Sequence, residues 1–324
     1  MCYDNIIYYN SSGMTESGDS DSGGSVDLYL VRHAESCSNI VRSKSAQHST
    51  YRRTHRDTLH EPVLSINGYI QSFQLRYHLY GRIRGHGDYD YDDTTVICSP
   101  LVRTVVTAMI ALSTFDDQVN HHIIHVVPYV KVHDKKLSMV NSVAELKEKI
   151  HNFTTWFRKR GIHIYQLFRE IHPVAPKRIS SIHFPRLDYT ALEEYERRFR
   201  ENERINVMDE FQKYIVASRP RPRSFLIFTH KRFIMKATGT LKVPANTSIT
   251  KVTTYPVDHF GADSGDGRRR LRRIALSSKV IYRPRLPNPT RKIRHKPEVE
   301  MCRNTFLSTQ RNRSVTRKRG VVDP

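Results

Sequence analysis

Residues 28–36, Leu-Tyr-Leu-Val-Arg-His-Ala-Glu-Ser, decide how the rest of the chain is read. The first four are an apolar run of the length expected for a strand buried on both faces. The run stops at Arg32 and His33. Three more short apolar runs follow the same plan. Residues 94–98 lead into Ser99-Pro100-Leu101-Val102-Arg103-Thr104, residues 122–127 end at Pro128, and residues 224–229 lead into His230-Lys231-Arg232.

Helical patterns lie between these runs. Residues 66–80 read as a helix with Ser65 as N-cap and Gly81 as its stop. Ser99 and Pro100 read as the cap and first position of a helix running on to residue 112. Longer helical stretches span about 143–160, with a break expected at Gly161, and about 189–217, with an interruption near 202–206. A brief helix over 231–238 stops at Gly239. Residues 248–254 and 274–282 read as two β segments around the turn Gly-Ala-Asp-Ser-Gly-Asp-Gly, 261–267, and predict a hairpin at a sheet edge. Short apolar strands alternating with helices predict an α/β fold, a three-layer sandwich with a mainly parallel central sheet. Ligands of such sheets bind beyond the carboxyl ends of the strands. The candidate chemistry is therefore in the residues that follow each strand.

Composition sets the outer bounds. The chain has 324 residues, 38% of them hydrophobic, enough for one sizeable core. Its net charge is +21, from 53 Lys and Arg against 32 Asp and Glu. From Arg268 onward there are 18 basic and 3 acidic residues, so most of the excess belongs to the C-terminal end. Three regions are expected: a disordered segment over 1–26, a folded domain over 27–282, and a disordered basic tail over 283–324. The tail carries clusters at 291–296 and 317–319. It suits weak, salt-sensitive contact with nucleic acid or an anionic surface, a nuclear localisation signal, or plain solubilisation. The four cysteines, Cys2, Cys37, Cys98 and Cys302, show neither metal-ligand spacing nor a disulfide framework, and read as free thiols of a reducing compartment. The N-terminal residues lack the basic start and apolar run of a signal peptide, and no apolar stretch is long enough to span a bilayer. Cytoplasm or nucleus is the expected location. Asn-x-Ser/Thr triplets such as those at Asn10, Asn152 and Asn246 then carry no glycosylation meaning.

Two histidines and two arginines at strand ends form a phosphate site by their chemistry. Arginine forks match phosphoryl oxygens, a helix N-terminus adds amide donors, and a neutral imidazole can attack phosphorus. Taken singly, each feature has a plainer explanation: a solvated strand end, a helix cap, a structural histidine. Their occurrence together and in order favours the phosphate site.

The same residues carry a family resemblance. Leu30-Val31-Arg32-His33-Ala34-Glu35-Ser36 resembles the signature of the histidine phosphatase (phosphoglycerate-mutase-like) superfamily, with Asn39 where many members have an asparagine. Leu64-Ser65-x-x-Gly68-x-x-Gln71, Ser99-Pro-Leu-x-Arg103-Thr-x-x-Thr107-Ala, Phe228-Thr-His230 and Val243-Pro244 resemble its later motifs, so the likeness covers roughly 27–282. It implies a phosphatase of phosphomonoesters in which His33 becomes phosphorylated. Arg32, Arg103 and His230 would hold the phosphoryl group, with Asn39 and Ser36 as further phosphate contacts. No metal or other cofactor is required, because the cations are side chains.

Two positions depart from that pattern. Many members place a glutamate soon after the third strand as general acid, and here Val132 occupies its place. His133 and Asp134 are substitute acids, or else parts of a solvated polar loop. Lys231 stands where the family commonly has glycine, and would either contact an anionic substrate or point to solvent. Catalysis by Cys37 is disfavoured, since the residues between it and Arg42 lack the glycines of a phosphate-cradling loop.

Overall fold

The computed structural model describes residues 26–40, 61–83, 94–116, 118–130, 141–173, 175–198, 207–218, 224–254 and 275–284. Nine strands run in chain order: β1 Asp27–Arg32, β2 Thr94–Cys98, β3 Thr114–Phe115, β4 Ile123–Val126, β5 Ile182–His183, β6 Arg186–Asp188, β7 Ser224–Thr229, β8 Ile249–Thr254 and β9 Ala275–Tyr282. The helices are α1 Ile66–Ile83, α2 Val102–Ala111, α3 Val143–Ile171, α4 Thr190–Arg198, α5 Val207–Ala217 and α6 Lys231–Thr238.

Seven strands form one sheet in the order β6-β4-β2-β7-β1-β8-β9. The pairings from β6 across to β1 are parallel, and those of β8 with β1 and with β9 are antiparallel. Alternation along the central strands explains the layers. Tyr29 and Val31 of β1 and Leu226 and Phe228 of β7 enter one core, with α1, α2 and α3. Leu28, Leu30, Phe225 and Ile227 enter the other, with α5 and α6. A sheet covered on both faces needs strands without a polar side, which is why these runs are continuously apolar. The result is the expected three-layer α/β sandwich with a mainly parallel sheet. β8 and β9 form the expected antiparallel pair, with β9 at the sheet edge.

Several local expectations change. The first described residue, Val26, exchanges hydrogen bonds with Thr254 at 3.0 and 3.1 Å, which ties the start of β1 to the end of β8. The helix expected to stop at Gly81 continues to Ile83. The break expected at Gly161 is absent, and α3 is continuous over 29 residues, opened by a capping box between Ser142 and Glu145. Gly161 serves packing instead: a Cβ there would lie 2.3 Å from the Phe157 ring. Ser99 is not the cap of α2, whose N-cap is Leu101. The short strands β3, β5 and β6 have too few residues to show a period in the sequence. The free-thiol expectation holds for buried Cys98 but not for Cys37, which is disulfide-bonded. Such pairing is set by the fold rather than by sequence spacing.

The turn at 261–267, the general-acid candidates Val132, His133 and Asp134, residues 1–25 and the tail beyond Pro284 lie outside the described residues. Among the described residues, no helix is long and apolar enough to cross a membrane.

Candidate active site

The sheet order puts β2, β7 and β1 side by side with their carboxyl ends together. Arg32 pairs with Thr229 and Cys98 with Phe228, so His33, His230 and Ser99 leave adjacent strands at nearly the same level. The rings of His33 and His230 are 5.2 Å apart, centroid to centroid. His33 is 6% exposed and His230 1%.

The nucleophile candidate is held on all sides. His33 donates its backbone N–H to Thr229 O at 2.9 Å, and Asn246 Nδ2 donates to His33 O at 3.0 Å. His33 Nδ1 lies 2.7 Å from Ala34 O. A carbonyl can only accept, so Nδ1 carries the proton and the lone pair sits on Nε2. Among the described residues Nε2 has no hydrogen-bond partner. Burial lowers the His33 pKa well below the ordinary value, and Arg103 and Arg32 lower it further, overcoming the opposing bond to Ala34. His33 is therefore neutral at neutral pH, as a nucleophile must be.

His230 ends β7 and caps α6. Its Nε2 lies 2.8 Å from Ser99 Oγ and 3.3 Å from Thr104 Oγ1. Its Nδ1 is buried without a hydrogen-bond partner among the described residues. Its pKa is also well below the ordinary value, through burial first and then Arg103, His33 and Arg32. Arg32 donates from one terminal nitrogen to Pro244 O at 2.7 Å, while its buried Nε has no partner. Arg103, in the first turn of α2, acts electrostatically on both histidines.

The sequence motifs turn out to brace one another. Ser65 Oγ accepts from Gly68 N at 3.0 Å and so caps α1 as expected, while donating to Glu35 Oε1 at 2.7 Å. Gln71 Oε1 accepts from Glu35 N at 2.8 Å. Thr107 Oγ1 accepts from Ala34 N at 3.1 Å and donates to Arg103 O at 2.7 Å. The loop after His33 is thus clamped between α1 and α2.

Ser36 and Asn39, expected as phosphate contacts, bond to each other. Asn39 Oδ1 accepts from Ser36 N at 2.9 Å and from Ser36 Oγ at 2.8 Å, and Ser36 is fully buried. This braces the loop and leaves the Ser36 hydroxyl committed. Lys231 is half-buried at the start of α6 and has no ion-pair partner among the described residues.

Three further positions touch the candidate site. Asn246, which the sequence presents only as a glycosylation triplet, holds the backbone of His33. Ser99 reads as a helix cap, yet it bonds to His230. Glu61 accepts from Val102 N at 2.8 Å and from Asn141 Nδ2 at 2.9 Å. It caps α2, so that amide is not free for an anion, contrary to the expected amide contribution. Its proximity to Leu64-Ser65 was the only available signal, and proximity in sequence does not reveal a cap 41 residues away.

Thr229 Oγ1 donates to Val130 O at 2.6 Å, tying the 3-10 turn Pro128–Val130 to the residue before His230. The described chain stops there, before the general-acid candidates.

No family model and no curated protein matches the chain. Solved structures similar to it include a candidate alpha-ribazole-5'-P phosphatase from Escherichia coli K-12, at 15% identity over 72% of this chain and 92% of that one, with a TM-score of 0.35. Mycobacterial hydrolase 1 is 13% identical over 72% and 94%, with a TM-score of 0.36. The product of open reading frame Rv3214 from Mycobacterium tuberculosis is 15% identical over 70% and 90%, with a TM-score of 0.33.

Proposed function

We propose that this chain is a histidine phosphatase that hydrolyses phosphomonoesters through a phosphohistidine on His33. The supporting observation is a pair of buried polar atoms without partners, Arg32 Nε and His230 Nδ1, beside a neutral histidine whose Nε2 lone pair is unengaged. An unsatisfied buried donor costs about 1–3 kcal/mol. A phosphoryl group between these atoms would satisfy them.

In the proposed reaction, His33 Nε2 attacks phosphorus and the bond from phosphorus to the ester oxygen breaks. Arg32, Arg103 and His230 hold the phosphoryl oxygens as charge redistributes, the electrostatic contribution that dominates many such reactions. The leaving oxygen takes a proton. Water then attacks phosphohistidine, releasing phosphate and restoring His33.

Two described carboxylates close to the candidate site are already engaged as hydrogen-bond acceptors. Both Glu61 oxygens accept hydrogen bonds, and Glu35 Oε1 accepts from Ser65. Asp134 or His133 is therefore proposed as acid. A positioned acid is worth about 10²–10⁴-fold. Its weakness would leave an anion-binding protein with slow turnover, the second reading favoured by Val132 and by the committed glutamates.

The test is incubation with a labelled phosphomonoester and an alkaline quench, under which phosphohistidine survives. Wild type should carry label and His33→Ala none. Val132→Glu should raise turnover if the acid is lacking. Label that persists in His33→Ala refutes the proposal.

A further inference from the structure

We infer that Ser99, supported by Thr104, holds His230 in the neutral tautomer whose proton is on Nδ1, so that an uncharged histidine donates a hydrogen bond to the ligand. This rests on the proposed phosphate pocket and specifies how one side of it works.

The protons available at Nε2 decide the tautomer. Ser99 and Thr104 are both fully buried. Each hydroxyl has one proton to place. Among the described residues the only hydrogen-bond partner of either side chain is His230 Nε2, at 2.8 Å from Ser99 and 3.3 Å from Thr104. If Nε2 carried the ring proton, both hydroxyl protons would be buried without an acceptor. If Nε2 presents its lone pair, Ser99 donates at the shorter distance and the polar group is satisfied. The ring proton then belongs to Nδ1, the atom left buried and unpartnered. Burial and the nearby arginines keep the ring neutral, so the tautomer is a real choice and not averaged away by double protonation.

Beside it, among the described residues, Arg32 Nε is another buried donor without a partner. Two such donors at the ends of adjacent strands suit a ligand with several acceptor oxygens, as a phosphoryl group has. The Ser99 hydroxyl is also adaptable. If His230 is transiently protonated, the hydroxyl can rotate and accept from Nε2, so the contact survives both states. Ser99 is thus a positioning residue: it acts through His230 and does not itself touch the ligand.

The test is the histidine tautomer read by nitrogen-15 NMR on the full chain at neutral pH without ligand, with His230 assigned by its loss in His230→Gln. The expected result is a proton on Nδ1 in wild type, loss of that preference in Ser99→Ala, and recovery in Ser99→Thr. Inorganic phosphate should bind Ser99→Ala about tenfold more weakly, the order expected for one misdirected hydrogen bond. A wild-type His230 protonated on Nε2 overturns the inference even if no variant folds. An unchanged tautomer in folded Ser99→Ala overturns the role of Ser99. Phosphate that fails to bind wild type overturns the pocket itself, and is told apart because the tautomer is read without ligand.

Discussion

Replacing Gly68 with alanine sets two effects against each other, and the structure gives the sign. Gly68 lies in the first turn of α1, where alanine is the better helix former by at most about 1 kcal/mol. Against this, an added Cβ would sit 2.0 Å from the backbone oxygen of Glu35 and 3.2 Å from Leu64 Cβ. Ordinary C···O contacts lie at roughly 3.3 Å or more, so the two segments must separate by about 1.3 Å. The obstacle is backbone, which cannot swing aside as a side chain would. The same oxygen accepts from Ser65 N at 3.0 Å, and separation strains that bond too. Overpacking costs about 1–3 kcal/mol, and a weakened hydrogen bond about 1 more.

The net expectation is a loss of about 1–3 kcal/mol, which for a domain of this size lowers Tm by roughly 2–12 °C. The Glu35 peptide is two residues from His33, so the displacement also reaches the proposed nucleophile. A misplacement of about 1 Å is worth on the order of 100-fold in rate. Thermal unfolding and the single-turnover rate of alkali-stable labelling measure the two effects separately. A Gly68→Ala protein as stable as wild type that labels at the same rate would refute the claim that this glycine lets α1 approach the loop after His33.

Three further outcomes are expected. Asn246→Ala removes the bond to His33 O and should slow labelling several-fold while phosphate affinity stays near wild type, since one such bond is worth about 1 kcal/mol; equal losses in both would place Asn246 in ligand binding instead. Thr229→Val keeps the shape but leaves Val130 O without its donor, and should cost about 1–3 kcal/mol in urea unfolding; a neutral result would mean the turn is held by packing alone. The folded pKa values of His33 and His230 lie below the ordinary 6.5, so the unfolded chain takes up protons first as pH falls. Their stabilising contribution is full above 6.5 and is lost as pH drops from there toward the depressed folded values. Urea unfolding across that range should lose less stability in His33→Gln than in wild type, and a larger loss in the variant contradicts the sign.

The layers and the strand ends were legible because they depend on continuous apolar runs and on what interrupts them. Residues 28–31 and 224–229 had to be strands buried on both faces, and the residues beyond them had to meet if the sheet was parallel. What was not legible depends on contacts between distant segments. Nothing near Ser99 in the sequence indicates that its hydroxyl faces a histidine 131 residues away, and the following proline made a helix cap the natural reading. Gly161 shows the opposite error. Glycine in a helix costs only about 1 kcal/mol, which the packing of Phe157 against Tyr69, Phe73, Phe153 and Phe184 outweighs.

The two histidines are held in opposite ways. His33 gives its Nδ1 proton to the carbonyl of Ala34, which leaves Nε2 able to attack. His230 receives hydroxyl protons at Nε2, which leaves Nδ1 able to donate. Both assignments require neutral rings, and neutrality follows from burial beside Arg32 and Arg103. The arginines that would attract a phosphoryl group are therefore the same groups that help keep the proposed nucleophile unprotonated. Removing either guanidinium should then act twice, weakening anion binding and raising the pKa of His33. The two effects separate by pH: above the raised pKa only the binding defect remains, and below it labelling falls further as the lone pair on Nε2 is lost to a proton.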